Sequence, residues 1–213
     1  RASSRKRSSS VIANASRILA FGNRLGRYTD GRKSSPPDHD RKSDMIIRPH
    51  RSEDIPHLLA INEAATPDVS SLSESALSEL LGSALLVRVV ADDSQIVGFV
   101  LCLGEGLLYT SDNYRWFSAR YDRFAYVDRV AIADGYRGQG LGGQLYDALE
   151  AELAGVRPTL LCEVNEDPPN PRSQRFHRNR GFTPVGRQAT DGGTKSVVLM
   201  AKPLGAQDPT EPA

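Results

Sequence analysis

One stretch constrains this chain more than any other: Val127-Asp128-Arg129-Val130-Ala131-Ile132-Ala133-Asp134-Gly135-Tyr136-Arg137-Gly138-Gln139-Gly140-Leu141-Gly142-Gly143. An apolar run of strand type enters a glycine-rich loop, and the loop opens a helix expected over 140–154. Glycines let the backbone approach a ligand closely and aim successive N–H groups at one point. The helix start adds its own unpaired N–H groups and the positive end of its dipole. Together these make a seat for a phosphate or pyrophosphate. A plain tight turn into a packed helix is the competing account, but the four glycines of 138–143 and Arg137 exceed what a turn needs.

Several phosphate-binding architectures share such a loop. Gly138-Gln139-Gly140-Leu141-Gly142-Gly143 fits the dinucleotide pattern G-x-G-x-x-G literally, and Glu163 lies about twenty residues on. Against that reading, five residues separate the strand from the first glycine. Three strands also precede the loop, and too little chain follows it for the second half of a doubly wound sheet. A Walker A loop is excluded, because no Gly-Lys-Ser/Thr follows.

Composition bounds the rest. The 213 residues are 39% hydrophobic and 25% charged, which suits one globular domain with extra chain attached. The net charge of +1 conceals two unlike segments. Residues 1–44 carry 11 Lys/Arg against 4 Asp, and residues 45–213 carry 16 Lys/Arg against 22 Asp/Glu. The first segment holds nine serines and few large apolar residues, so it is expected to stay disordered. It reads as an added leader or an overlong start, with Met45 as the natural first residue; a transit peptide and a basic nucleic-acid arm are the other readings. Residues 205–213 read as a disordered terminus. No apolar run reaches the ~18 residues that span a bilayer. Cys102 and Cys162 lie in apolar runs without a second Cys or His at ligand spacing, which points to buried thiols, no metal site and a cytoplasmic protein.

From Met45 onward the pattern gives β-α-α-β-β-β-α-β-α-β-β. The expected strands cover 45–49, 85–91, 95–103, 124–133, 159–164, 182–188 and 194–201. The expected helices start at Ser52, Ser71, Gly140 and Pro171. This is a mixed α/β (α+β) domain over 45–204, with a single sheet of about seven strands and flanking helices.

The loop also reads as Arg137-x-x-Gly140-x-Gly142. A second block follows at 170–182, Asn170-Pro171-Arg172-Ser173-Gln174-Arg175-Phe176-His177-Arg178-Asn179-Arg180-Gly181-Phe182. With both blocks in this strand order, residues 45–203 resemble the GNAT N-acetyltransferase superfamily, and in particular a bacterial subgroup described only as predicted acetyltransferases. The second block matches at Asn170, Ser173, Gly181 and Phe182, while His177 stands where the family usually has Tyr.

The resemblance implies an acyltransferase that moves the acetyl group of acetyl-CoA to a primary amine, small-molecule or peptide, by direct attack on the thioester. It implies a gap between strands 124–133 and 159–164 for the cofactor. Arg137, Gly138, Gln139, Gly140, Leu141 and Gly142 would hold the pyrophosphate, main-chain groups of Val130 and Ile132 the pantetheine arm, and Asn170 with Ser173 would border that arm. His177 is the candidate acid, because an imidazolium is a stronger acid than a phenol. Asp128 and Glu163 are the candidate bases, with Tyr126 a third polar group. By strict alternation Asp128 shares a face with Tyr126 and Val130. A carboxylate in an apolar strand needs a partner, and Arg129 or Arg123 offers one.

Seven of the fourteen aromatics fall in 109–126. Tyr114, Trp116, Tyr121 and Tyr126 are the candidate acceptor contacts; a packed loop or a homodimer contact is the alternative use of this segment. A non-catalytic CoA-binding module on the same fold is the competing function. Neither membrane nor nucleic acid is expected as a partner of the domain.

Overall fold

The computed structural model describes residues 45–92 and 95–205. The expectations for the basic stretch 1–44, for the terminus from 206 and for the turn residues 93–94 fall outside them. Seven strands form one sheet: β1 (Ile46–Pro49), β2 (Leu86–Ala91), β3 (Ile96–Gly104), β4 (Ala125–Ile132), β5 (Thr159–Asp167), β6 (Thr183–Thr190) and β7 (Lys195–Pro203). Their order is β1-β2-β3-β4-β5-β7-β6. Every neighbouring pair is antiparallel except β4 and β5.

Helices cover both faces. Helices α1 (Ile55–Ala64) and α2 (Glu74–Ser83) bury Leu58, Ile61, Leu77, Leu80 and Leu81 in a core on one face. Helix α3 (Asp112–Ser118) adds Tyr114 and Phe117 to the same core. On the other face, α4 (Leu141–Leu153) buries Leu141, Leu145, Tyr146, Leu149 and Leu153, and α5 (Pro171–Asn179) packs Phe176 alongside. β3 lies between the two layers, and all nine of its residues are buried. A strand covered on both faces reads as a continuous apolar run, as Ile96 to Leu103 does.

Three local departures from expectation have physical causes. The first helix is not capped by the Ser52 side chain; Asp54 reaches back to accept the Arg51 N–H at 2.7 Å and is held by Arg48 at 2.7 Å. The second helix starts at Glu74 rather than at Ser71, because it is Ser73 whose hydroxyl accepts the Ala76 N–H. The segment read as a long aromatic loop contains α3. Ser111 caps it, and its aromatic residues are helical because two of them reach the core.

The feature that positions the site is a bulge in β4. Cys102 pairs with Val127 and Leu101 with Arg129, so Asp128 is an extra residue without a partner on β3. The bulge resets the alternation. Tyr126 and Ala131 point into the first core, while Val127, Val130 and Ile132 point into the second. Val130 therefore lies opposite Tyr126, which corrects the face assignment made by strict alternation. The pairing of β4 with β5 ends at the same place: Ala125, Tyr126 and Val127 pair with Leu160, Leu161 and Cys162, and no further. Beyond it β4 continues on β3 and β5 continues on β7, so the two parallel strands part.

Candidate active site

A cavity of about 610 Å³ runs through this parting. Its walls include Val130, Ile132, Arg137 and Gly142 at one end, Ser173, Phe176 and His177 along α5, and Asp68, Tyr109, Asn113, Asp128, Arg129 and Glu163 at the other.

The loop end is shaped by backbone. Gly138 and Gly140 both have left-handed φ, 85° and 83°, which a residue with a Cβ adopts only at a penalty. Gly140 is also the N-cap residue of α4 and supplies no capping side chain. The first intrahelical bond runs from Gln144 N–H to Gly140 O, so the three N–H groups before it have no helical partner. Arg137 folds back over this turn: its Nε donates to Ile132 O at 3.0 Å and pairs with Asp134 at 3.1 Å. Leu141 contributes backbone only, because its side chain is buried in the second core.

The edge of β4 faces the gap with backbone that no neighbouring strand pairs, although Ile132 O accepts from Arg137. Ala133 N–H donates to Val97 O at 2.8 Å, which sets the phase of the antiparallel ladder. Residues 129, 131 and 133 therefore turn their main-chain groups to β3, and Val130 and Ile132 turn theirs to the gap. A ligand with alternating amide groups fits such an edge as an added strand. Asn170 borders the gap but is already engaged: its Oδ1 caps α5 by accepting Ser173 N–H at 3.0 Å, and its Nδ2 donates to Asp68 at 3.1 Å.

His177 does not present the proton expected of it. Only 3% of the residue is exposed. Nδ1 lies 2.8 Å from the Ser173 carbonyl, which can only accept, so Nδ1 carries the hydrogen. Nε2 then accepts the Tyr146 hydroxyl at 2.7 Å. Burial pushes the imidazole below its usual value, with the Arg180 charge acting the same way against the Ser173 carbonyl. The ring is a neutral link between α4 and α5, packed against Tyr146, Phe176 and Phe182. Both ring nitrogens are thus engaged within the protein, which counts against the proton-donor role expected of His177.

The carboxylates lie on the first-core side. Asp128 pairs with Arg129 at 2.8 Å, and both side chains are buried. Glu163 is partly exposed as a residue, but its Oε2 is sealed and has no hydrogen-bond partner. The Tyr126 hydroxyl is sealed and unpartnered as well. The two groups are near enough to influence each other's ionisation, although they are not in hydrogen-bonding geometry. Burial pushes the Glu163 carboxyl up to about 7; Tyr126 and Asn113 pull it down, and the Asp128 charge pushes it further up.

The expected aromatic acceptor contacts are mostly core. Tyr114 and Tyr126 are fully buried, and the Tyr114 hydroxyl donates to Gly104 O at 2.7 Å. Trp116 packs on Gly186 of β6, with the Arg120 guanidinium 3.8 Å above its ring. Tyr121 packs on Phe117. None of the four lines the cavity, because α3 turns the segment inward. Tyr109, Asn113 and the segment 67–70 do line it; of these only Tyr109 belongs to the aromatic set expected on the acceptor side, and it was not among the four candidate contacts. Asn113 stands in the first turn of α3, and the segment 67–70 carried no periodic or motif signal. Among the described residues no cluster of His, Cys, Asp or Glu could hold a metal, and no helix is long and apolar enough to cross a membrane.

Comparison with known proteins gives a consistent picture. A model of the acetyltransferase (GNAT) family matches residues 57–182. The peptidyl-lysine N-acetyltransferase YjaB of Salmonella typhimurium is 28% identical over 162 residues, covering 72% of this chain and 94% of that protein. Among solved structures, the ribosomal-protein-S18-alanine N-acetyltransferase of Escherichia coli superposes with a TM-score of 0.60 at 21% identity, covering 79% of this chain and 99% of that one. Arabidopsis thaliana NAA60, solved with a bisubstrate analogue, superposes with a TM-score of 0.61 at 18% identity, covering 75% and 98%. At these identities the superpositions speak for the fold.

Proposed function

The chain belongs to the GNAT acetyltransferase family, and from that premise we propose that it transfers the acetyl group of acetyl-CoA to a peptide amine, with Glu163 as the base. The observation that carries this reading is the sealed, unpartnered Oε2 of Glu163 beside the parting of β4 and β5.

The residues present fit the cofactor. The Gly138–Gly140 turn and the start of α4 suit its pyrophosphate, and the strand-free edge of Val130 and Ile132 suits its amide-bearing arm. When bound, the cofactor supplies an activated acetyl thioester. The protein does the rest. An alkylammonium, with a pKa near ~10.4, cannot attack until it loses a proton. Glu163 takes up that proton as a carboxylate, above pH about 7. A base that titrates near the working pH combines a large deprotonated fraction with useful basicity. Asp128 is the less suitable base, because its carboxylate already pairs with Arg129. The peptide acceptor is proposed from YjaB, a peptidyl-lysine acetyltransferase, and from a cavity mouth walled by loops from separate parts of the chain.

The test is thiol release from acetyl-CoA with lysine peptides, free-N-terminus peptides and polyamines, using wild type and Glu163→Gln. Peptide-dependent release that Glu163→Gln lowers by about 10²-fold or more supports the reading. Equal release from both proteins refutes Glu163. The neutral state of His177 favours one second reading, a CoA-binding module without turnover. Stabilisation by acetyl-CoA without thiol release from any amine would establish it.

A further inference from the structure

The bulge at Asp128 places two consecutive charged side chains in one buried site, and neither of them has a role in the reading above. Arg129 is 3% exposed. Its Nε is bound to Asp128, which leaves the other end of the guanidinium directed at the segment between α1 and α2. There Nη1 donates to Asn62 Oδ1 at 2.7 Å and to Ser70 O at 3.3 Å, and Nη2 donates to Ser70 Oγ at 3.4 Å. Asn62, fully buried at the end of α1, also donates to Ser70 O at 3.0 Å.

The segment so held forms a wall of the cavity, through Pro67, Asp68, Val69 and Ser70. It has little apolar anchorage of its own: residues 66–68 and Ser70 are exposed, and only Val69 is packed against the core. A polar segment with so little buried surface is held by its hydrogen bonds. Those that tie it to the sheet come from a charged donor in a dry site, while Asn62 and Asn170 hold it from α1 and from the start of α5. The donor stands on β4, two residues past Val127, the last residue of β4 to pair with β5.

We propose that Arg129 is a positioning residue of the acceptor site, clamping the 66–70 wall to the parted strand through Asn62 and Ser70 and so fixing the distance between the acceptor's seat and the cofactor gap. Resting on the acetyl-transfer reading, this predicts that loosening the clamp weakens acceptor binding and leaves cofactor binding intact. Asp128 then serves chiefly as the counter-ion that makes a buried Arg129 tolerable.

Two variants separate positioning from mere structural support. Arg129→Lys keeps a cation for Asp128 but lacks the planar fork that reaches Asn62 and Ser70 together. Asn62→Ala removes the shortest clamp bond and leaves the Asp128–Arg129 pair in place. The first readout is amide hydrogen exchange of 66–70 in the ligand-free full chain. It is expected to accelerate by about tenfold or more in both variants, with β4 and β5 unchanged. The second is steady-state kinetics with a lysine peptide. KM for the peptide is expected to rise about tenfold, while KM for acetyl-CoA stays within about twofold. Unchanged exchange in 66–70 overturns the proposal, as does a fall in kcat without a rise in peptide KM. If the wild type transfers acetyl to no amine, the transfer reading fails, and the exchange measurement still decides whether the clamp orders the wall.

Discussion

Glu163 and His177 are both buried ionisable groups near one gap, and their surroundings drive them in opposite directions. Burial raises the Glu163 carboxyl to about 7 and lowers the His177 imidazole. For Glu163 the folded value lies above the unfolded one, so its contribution to stability is present at low pH and is lost as pH rises through about 7. Glu163→Gln should therefore melt higher than wild type at pH 8, by roughly 3 °C or more, with the gap closing below pH 5. The same residue predicts kinetics. kcat/KM for the peptide should climb with pH and level off above about 7 in wild type, and the step should vanish in Glu163→Gln. His177 gives a separate expectation. Tyr146→Phe leaves Nε2 buried without a donor, and urea denaturation should show a loss of about 1–3 kcal/mol. Neither group's state was legible in the sequence. His177 was read by its intrinsic chemistry, but burial and the Arg180 charge lower its pKa, and a carbonyl one turn back and a hydroxyl from another helix take up its two ring nitrogens.

Among the elements, the strand–loop–helix was readable because its requirements are local. Left-handed glycines and a bare helix start follow from residue type and spacing alone. Gly140→Ala places a Cβ at φ 83°, against about 1–2 kcal/mol of backbone strain, and turns the N–H groups away from the common point. Its acetyl-CoA affinity, measured by calorimetry, should fall while the peptide KM holds. The third helix was less readable. Its run of aromatics resembles strand or loop, and only the packing of Tyr114 and Phe117 into a core assembled from distant residues makes it helical. Its outer face depends on Gly186, where a Cβ would come within 2.6 Å of the Trp116 ring. Gly186→Ala should destabilise the fold by about 1–3 kcal/mol in urea titration. The bulge in β4 was not legible at all, since nothing in the series Tyr126, Val127, Asp128, Arg129, Val130 marks an extra residue. It arises from register with β3, and it alone decides which side chains reach the acceptor side.

At the scale of the whole molecule, the succession of strands and helices along the chain and their assembly as one sheet with flanking helices were recoverable from hydrophobic period and turn chemistry, because packing helices on a single sheet is the compact solution to that pattern. The acceptor walls were not. They come from loops whose residues carry no periodic signal and meet only once the sheet is built. The parting of β4 from β5 has a mechanical meaning. Three residue pairs join the block β1–β4 to the block β5–β7 within the sheet, against seven or more at the flanking joints. The sheet thus has a seam, and a ligand lying along the strand-free edge of Val130 and Ile132 would add rungs where no strand supplies them. Without it, the two blocks should exchange their amide hydrogens as separate cooperative units; with acetyl-CoA bound, they should protect as one.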